Sequence, residues 1–203
     1  HELYEDCPED CPWSGPTWYV STWGSNENDG SFDNPFASIQ HGINTANEGN
    51  IVHVQQGTYY ENIIFRDPQG ETKNITLLGE HRETTIIFGQ LDSSVVRFYN
   101  ADSSAILSGF TITNGSSQRG GGVSLYESNP KLNELIISNN SAYIEGGGIY
   151  LEFSNPTMKH LVISNNFAEL KGGGIYLTHS NPIIENLAIV DNSSNESGGL
   201  GGG

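Results

Sequence analysis

An amide-rich loop near the N-terminus carries the oxygen atoms that a metal ion would use. Asn26, Asn28 and Asp29 lie within the segment Asn26-Glu-Asn-Asp-Gly30. Carboxylate and amide oxygens held in a tight turn are ligands that calcium prefers. The segment lacks the spacing of a dedicated calcium loop, however, and Asp-Gly is itself a strong turn signal. We keep calcium at this loop as the one cofactor candidate, with an ordinary turn as the alternative.

Three tyrosines in the second half of the chain are candidates for binding sugars. Tyr150 and Tyr176 are 26 residues apart, and Tyr126 is displaced from this period by two residues. A stack of tyrosine rings serves either as a platform for sugar rings or as cross-strand packing that stiffens a sheet. Both interpretations stay open, and this is the face on which we expect a glycan if one binds.

The titratable residues do not assemble into a catalytic group. A glycosidase needs two carboxylates flanking a cleft, and Glu127 and Glu152 fall one repeat apart at slightly different positions. His160 and His179 fall on separate strands, and no Ser-His-Asp or Cys-His group includes them. We therefore name no catalytic residue.

Two kinds of covalent modification are consistent with the sequence. Cys7 and Cys11 lie close together in an acidic N-terminal tail, which favours a local disulfide in an oxidising compartment. A bond to another chain and free thiols are the alternatives. Asn-x-Ser/Thr sequons, which matter if the source glycosylates secreted proteins, occur at Asn74, Asn114, Asn139, Asn192 and Asn195.

A 26-residue repeat in the second half of the chain must position these side chains. Its first mark is a glycine triplet that begins at Gly120, Gly146 and Gly172. Its other marks are an Asn-Pro pair at 129–130, 155–156 and 181–182, and a pair at 139–140, 165–166 and 191–192 that is Asn-Asn twice and then Asp-Asn. A fixed period of this length with short alternating strands is typical of a solenoid.

The apolar residues of each repeat predict which solenoid forms. Alternating apolar residues recur at Val123/Leu125, Ile149/Leu151 and Ile175/Leu177, and again at Leu135/Ile137, Leu161/Ile163 and Leu187/Ile189. This period of two is typical of strands with one buried face. Stacked coils would bury these side chains in one column, leave Tyr150 and Val162 pointing outward and align the asparagine pairs in a ladder. The prediction is an all-β fold, a parallel β-helix.

The N-terminal part predicts a cap for this column. Phe36, Ile39, Ile43 and Ala46 have helical spacing, with Gly49 placed to end the helix. We expect a strand at 51–54, a turn at 57–59, and further strands at 75–78, 85–88, 95–98 and 107–113. The organisation is thus an acidic tail (1–16), a cap with the first strands (17–65), irregular coils (66–118) and regular coils (119–203).

Several of these segments resemble a known superfamily. Residues 18–31 (WYVSTWGSNENDGS), 34–40 (NPFASIQ) and 54–59 (VQQGTY) are similar to the N-terminal cap of secreted right-handed parallel β-helix proteins of the pectin-lyase-like superfamily, including polysaccharide lyases. The coils with GGGIYL and ISNN resemble those of bacterial surface β-helix proteins. The resemblance implies a right-handed helix, and it leaves function open because this fold hosts lyases, hydrolases, adhesins and structural proteins.

Composition restricts the partners. The 203 residues include 8 Lys and Arg against 24 acidic residues, for a formal net charge of −16. This charge argues against nucleic acid and anionic membranes, and it disfavours a polyanionic sugar unless calcium bridges the two. No stretch is long enough to span a bilayer. The chain begins at His1 without Met, as a processed exported chain or a trimmed one would.

The combined expectation is a secreted or cell-surface β-helix module with a structural, adhesive or carbohydrate-contacting role. The alternative is a polysaccharide lyase or a related carbohydrate-active enzyme. The repeat breaks off after Asp191-Asn192 without a cap, which predicts further coils or end-to-end docking on a second copy. The expected partners are therefore an extracellular polysaccharide or the protein itself, stacked along its axis into filaments.

Overall fold

The computed structural model describes residues 16–90 and 92–195 and contains three parallel sheets and one short helix. The elements follow in the order β1 (Thr17–Val20), α1 (Ile39–Thr45), β2 (Ile51–Val54), β3 (Gly57–Tyr59), β4 (Ile63–Ile64), β5 (Thr76–Gly79), β6 (Thr85–Phe88), β7 (Val96–Tyr99), β8 (Ile106–Thr113), β9 (Ser116–Arg119), β10 (Val123–Tyr126), β11 (Lys131–Ser138), β12 (Ser141–Glu145), β13 (Ile149–Glu152), β14 (Thr157–Ser164), β15 (Phe167–Ala168), β16 (Ile175–Thr178), β17 (Ile183–Val190) and β18 (Ser193–Ser194).

Each regular coil contributes one strand to each sheet. Sheet I has nine strands, with the path β1-β2-β5-β8-β11-β14-β17 and with β3 and β6 paired beside it. Sheet II has the order β16-β13-β10-β7-β4, and sheet III has the order β18-β15-β12-β9. The chain is therefore a parallel β-helix of about six turns, as the 26-residue period predicts. Sheet III was not predicted, because its strands are short and only one residue of each points into the core.

The apolar column is in the predicted register. Val123 pairs with Ile149, which pairs with Ile175, and Leu161 and Ile163 follow the same stacking in sheet I. Ile149, Leu151, Leu161 and Ile163 are fully buried and Val162 on the outer side is half-buried. Burial of these aliphatic side chains is the main stabilising term of a fold with almost no helix.

Tyr150 differs from the expectation. Its ring lies outside the aliphatic core cluster, as predicted for an outward side chain, yet only 6% of the residue is exposed. The reason is that Arg119 and Tyr176 cover it from the two neighbouring coils, with 5.7 Å from the Arg119 guanidinium carbon to the ring centroid. An outward position on this sheet is therefore not the same as an exposed one.

Corner residues explain the asparagine and glycine marks. Asn139 and Asn165 adopt left-handed backbone angles, with φ of 56° and 54°, as expected for the first residue of each Asn pair. The first glycine of each triplet is also left-handed, for example Gly146 at φ 68°. The second glycine has another reason: a Cβ on Gly147 would lie 2.3 Å from the Phe167 carbonyl oxygen. Neighbouring coils pack backbone against backbone there.

The cap closes the N-terminal end of the column. Phe36, Ile39, Ile43 and Ala46 are buried as predicted, although the helix itself begins only at Ile39. Both carboxylate oxygens of Glu61 accept backbone N–H groups at its start, from Ile39 at 2.8 Å and Gln40 at 3.0 Å. Burial raises the pKa of Glu61 above its usual value.

One prediction for the cap, the turn at residues 57–59, is wrong. Residues 57–59 form strand β3, which pairs in parallel with β6, and not a turn. Gly57 in this strand has φ 152°, so the glycine signal was real, but pairing with Thr85–Ile87 outweighed it.

Candidate functional site

The outer surface of sheet II brings the predicted tyrosines together with residues that the sequence analysis missed. One outward column contains Arg97, Ser124, Tyr150 and Tyr176, and the neighbouring column contains Tyr99, Tyr126, Glu152 and Thr178. Side chains from both columns, with Asp92 and with Ser117 to Arg119 of sheet III, line a cleft of about 380 Å³. We call the outer surface of sheet II the sheet II face. It extends along the helix axis from Arg66 at one end to His179 at the other.

Tyr150 and Tyr176 stack face to face. Their ring centroids are 5.9 Å apart and the ring planes differ by 2°. The Tyr150 hydroxyl donates a hydrogen bond to Glu152 at 3.2 Å. Burial, with the nearby Glu152 carboxylate adding to it, raises the pKa of Tyr150 to about 12. The Tyr150 ring is thus held in place as packing, which was the alternative interpretation of the stack.

Tyr126 belongs to a second aromatic series, the aromatic strip, made of Tyr99, Tyr126, Phe153 and His179. Successive ring centroids lie 6.3, 6.4 and 4.7 Å apart, so each coil supplies one ring. Tyr126 is 38% exposed and Phe153 is 47% exposed. The strip is therefore a continuous, partly open aromatic surface that runs along the helix axis.

The sequence contains a signal for only part of the aromatic strip. Phe153 and His179 share the 26-residue period, and both adopt left-handed φ values near 50° at the end of their strands. That conformation turns the Phe153 side chain toward the surface on which Tyr126 lies. Tyr99 lies in an irregular coil, where the spacing to Tyr126 is 27 residues, and so the simple period does not align it.

Three of the chain's four arginines lie on the sheet II face. The Arg66 guanidinium carbon lies 4.6 Å from the centroid of the Tyr99 ring. Arg119 pairs with Glu145 at 3.1 Å, and this hydrogen bond raises the pKa of Arg119. Arg97 projects into the cleft from the middle of β7.

The predicted calcium loop is engaged in hydrogen bonds within the cap. Asn26 Oδ1 accepts the backbone N–H groups of Ala37 and Ser38, at 3.0 and 3.1 Å, and Asn28 Nδ2 donates to the Pro35 carbonyl oxygen at 2.9 Å. Hydrogen bonds from Ser31 lower the pKa of Asp29. Within residues 16–90 and 92–195, no group of three or more His, Cys, Asp or Glu residues could hold a metal ion. Calcium at Asn26, Asn28 and Asp29 stays a prediction.

The predicted modification sites are scattered. Asn139 and Asn195 are exposed and Asn74 and Asn114 are half-buried. Asn192 is buried, and its Nδ2 atom donates to the carbonyl oxygens of Ile163 and Val190. The atom to which a glycan would be attached is therefore not accessible in the folded chain. Cys7 and Cys11 lie outside the described residues.

The histidines and carboxylates that were considered for catalysis do not meet on the sheet II face. His160 pairs with Glu134 at 3.2 Å on the outer side of sheet I, next to Arg82, which contacts Glu134 at 3.0 Å. His179 belongs to the aromatic strip, and Glu152 accepts a hydrogen bond from Tyr150. The His160–Glu134 and His179–Phe153 contacts join neighbouring coils, whereas the Tyr150–Glu152 hydrogen bond lies within β13.

Comparison with known sequences assigns the family. The profile of a family of proteins of unknown function, DUF1565, matches residues 63–200. The chain belongs to the DUF1565 family. The match begins at β4 and contains the whole sheet II face, whereas the cap precedes it. No helix among the described residues of this DUF1565 protein is long and apolar enough to cross a membrane.

One relative is a curated bacterial protein. The uncharacterized protein YwoF of Bacillus subtilis (strain 168) is 30% identical over 105 residues, which are 49% of this chain and 22% of YwoF. The chain therefore spans about a fifth of the relative's length. No solved structure matches the chain.

Proposed function

We propose that this DUF1565 β-helix is a secreted or cell-surface module that contacts carbohydrate through the sheet II face. The observation that carries the proposal is the aromatic strip, in which Tyr126 and Phe153 expose their rings on consecutive coils. Aromatic rings bind sugars through their apolar faces while hydroxyl groups bond to polar neighbours. Consecutive strands are about 4.8 Å apart, so rings repeated at each coil can follow an extended glycan along the axis.

The polar neighbours of the strip suit the same ligand. Sugar hydroxyl groups need both donors and acceptors, and Ser124, Gln118 and Glu152 line the cleft beside the rings. The sheet beneath is rigid, because β10 pairs on both sides with β7 and β13. A preformed surface of this kind binds without the cost of ordering a loop.

Glycan binding can be tested directly with variants of the exposed aromatic residues. Isothermal titration with pectate, alginate and neutral glycan oligosaccharides, with and without calcium, should detect a ligand. Tyr126→Ala and Phe153→Ala should weaken its binding about tenfold each, since a ring stacked on a ligand contributes on the order of 1–2 kcal/mol. Tyr143→Ala is the control, because Tyr143 is an exposed aromatic residue on sheet III, away from the strip. Equal losses in all three variants would contradict the proposal.

A polysaccharide lyase is the second candidate, and the composition of the cleft favours it. Asp92, Arg97 and Glu152 line the same cleft as the tyrosines, so acidic and basic groups face one bound chain. Cleavage by elimination creates unsaturated sugars that absorb in the ultraviolet. We would conclude that the protein is a lyase if ultraviolet absorbance rises on incubation with one of these polysaccharides and if Arg97→Gln abolishes this rise.

Axial association is a third role, supported by the last described coil. Leu177, Ile183, Ile184 and Val190 are about half exposed there. The opposite end is covered, because Tyr19 exchanges backbone hydrogen bonds of 2.8 Å with Gly30 and Phe36. Further coils of a longer chain, or a second copy, would bury the exposed set. Light scattering of the chain at high concentration tests the second case: Ile184→Lys should reduce any assembly, and a strictly monomeric unmodified chain would exclude it.

A further inference from the structure

Two arginines on the sheet II face have no counter-charge among the described residues, although acidic residues outnumber basic residues three to one in this chain. No carboxylate of residues 16–90 or 92–195 lies within ion-pair distance of Arg66 or Arg97. The Nε atom of each is buried and has no hydrogen-bond partner within the described part of the chain. A buried donor without an acceptor is costly, so the two unpartnered Nε atoms require an explanation.

The nearby carboxylates are engaged elsewhere or stand apart. Asp67 pairs with Lys73 at 3.5 Å, and Glu145 pairs with Arg119 at 3.1 Å. Glu152 accepts the Tyr150 hydroxyl hydrogen bond, and the remaining acidic residue of the cleft, Asp92, is exposed to water. Among the described residues, no carboxylate pairs with Arg66 or Arg97, so both guanidinium groups can accept an anionic partner.

The position of both arginines is set by the core beneath them. Phe65, which precedes Arg66, and Phe98, which follows Arg97 on β7, stack inside the β-helix with ring centroids 4.1 Å apart. Arg97 and Tyr99 are two residues apart on β7 and so project from the same side of the sheet. Arg66 lies over the Tyr99 ring at 4.6 Å. The three side chains thus form one cluster at the N-terminal end of the aromatic strip.

We propose that Arg66, Arg97 and Tyr99 form a subsite for an oxyanion carried by the bound sugar chain, a carboxylate or a sulfate ester. The inference rests on the proposed carbohydrate binding and specifies its ligand. A guanidinium group offers a planar fork of N–H donors that matches both oxyanions, and its charge strengthens each hydrogen bond. The sugar ring that bears the oxyanion lies next to Tyr126, and the following rings continue along Phe153. The net charge of −16 repels an anionic ligand at long range, and the two guanidinium groups offset this repulsion locally without calcium.

The test uses one glycan backbone in three forms. Cellohexaose, its derivative oxidised to carboxylates at C6 and its 6-O-sulfated derivative are titrated into the full chain without calcium. Both charged forms should bind about tenfold more tightly than the neutral form, as expected for charge-assisted hydrogen bonds. Arg97→Gln and Arg66→Gln should each remove most of this difference, because they should weaken binding of the charged forms more than binding of the neutral form. A preference for only one charged form identifies which oxyanion the subsite takes.

The controls separate this inference from the proposed function. Lys131→Gln removes the same charge from an exposed position on sheet I and should keep the preference. Arg97→Lys keeps the charge without the planar fork and should retain part of it, and thermal melts verify that each variant is folded. Equal affinity for all three forms overturns the oxyanion subsite while the carbohydrate surface stands. Absence of binding by all three overturns both.

Discussion

Asn166 donates a hydrogen bond from its side-chain Nδ2 to the Oδ1 atom of Asn192, at 2.9 Å, inside the β-helix. The same Nδ2 atom donates to the Ile137 carbonyl oxygen at 2.9 Å, and Oδ1 of Asn166 accepts from both the backbone N–H and the Nδ2 atom of Asn140 at 3.0 Å. Only 1% of Asn166 is exposed. The ladder satisfies backbone groups at the corner between sheets I and III, where strand pairing is interrupted.

Removing the middle rung should destabilise the whole helix. Asn166→Ala removes the side-chain partner of the Ile137 carbonyl and of the Asn140 backbone N–H in a buried interior, and each unmet group costs about 1–3 kcal/mol. We expect the free energy of unfolding in urea to fall by about 3 kcal/mol.

The adjacent residue provides the control for the ladder. Asn165→Gly changes an exposed residue at φ 54°, a conformation that glycine adopts without strain. Its effect should stay within about 0.5 kcal/mol. A loss of equal size in both variants would mean that the corner conformation, and not the buried ladder, is what the asparagine pair provides.

The middle glycine of a triplet should tolerate no side chain. A Cβ on Gly147 would lie 2.3 Å from the Phe167 carbonyl oxygen and 2.5 Å from that of Gly173, so Gly147→Ala must force two coils apart. We expect a loss of about 3 kcal/mol, the upper range of overpacking. Gly70→Ala is the control, because Gly70 has φ 89° but no neighbour within 4 Å of a Cβ, and left-handed strain alone costs about 1 kcal/mol. Equal losses of stability in the two variants would mean that the backbone angle, and not close packing between coils, requires glycine at position 147.

The regular coils could be predicted from sequence because every coil repeats the same physical problem. Ile149 must be buried for the same reason as Val123 and Ile175, so period and alternation together determine the register. Short strands with one inward residue, such as β15 with Ala168, give no alternation to detect, and sheet III was therefore missed. Strand β3 was missed because pairing with a distant segment outweighed its local turn signal.

The candidate site was only half predictable. Tyr126, Tyr150 and Tyr176 were identified by their spacing, but spacing cannot show that Arg119 covers Tyr150 while Tyr126 stays open. Arg97 faces Ser124 across a 27-residue offset, so its place in the cleft depends on the irregular coil that precedes the repeats. The missing counter-charges of Arg66 and Arg97 are visible only once all side chains are placed.

Neighbouring residues of β13 should respond differently to polar substitution. Ile149→Asp places an unpaired charge in the aliphatic column and should abolish cooperative folding. Tyr150→Ser removes a ring that packs outside this column, so the protein should stay folded with a loss of about 2 kcal/mol. Thermal melts followed by circular dichroism distinguish the two. Equal tolerance of both changes would show that the assigned faces of β13 are wrong.

His53 should make stability depend on pH. It lies on β2 with its ring 5.6 Å from Tyr19, and its Nδ1 atom is buried without a hydrogen-bond partner. Burial lowers the pKa of His53, and the Glu80 carboxylate opposes this shift only in part. The unfolded chain, with a histidine pKa of about 6.5, therefore takes up a proton before the folded chain does. The stability that the neutral ring contributes is present above pH 6.5 and is lost as the pH falls toward the folded pKa.

Replacing the imidazole by a ring that cannot be protonated should remove this dependence. His53→Phe keeps the aromatic contact with Tyr19, so its free energy of unfolding should improve relative to the unmodified protein as the pH falls from 7.5 to about 5. His179→Phe is the control for the same substitution at a position exposed to water. Urea unfolding at closely spaced pH values measures both differences. A difference for His53→Phe that stays constant with pH would mean that the His53 ring is as accessible to protons in the folded chain as in the unfolded one, and that burial beneath Tyr19 does not oppose its charge.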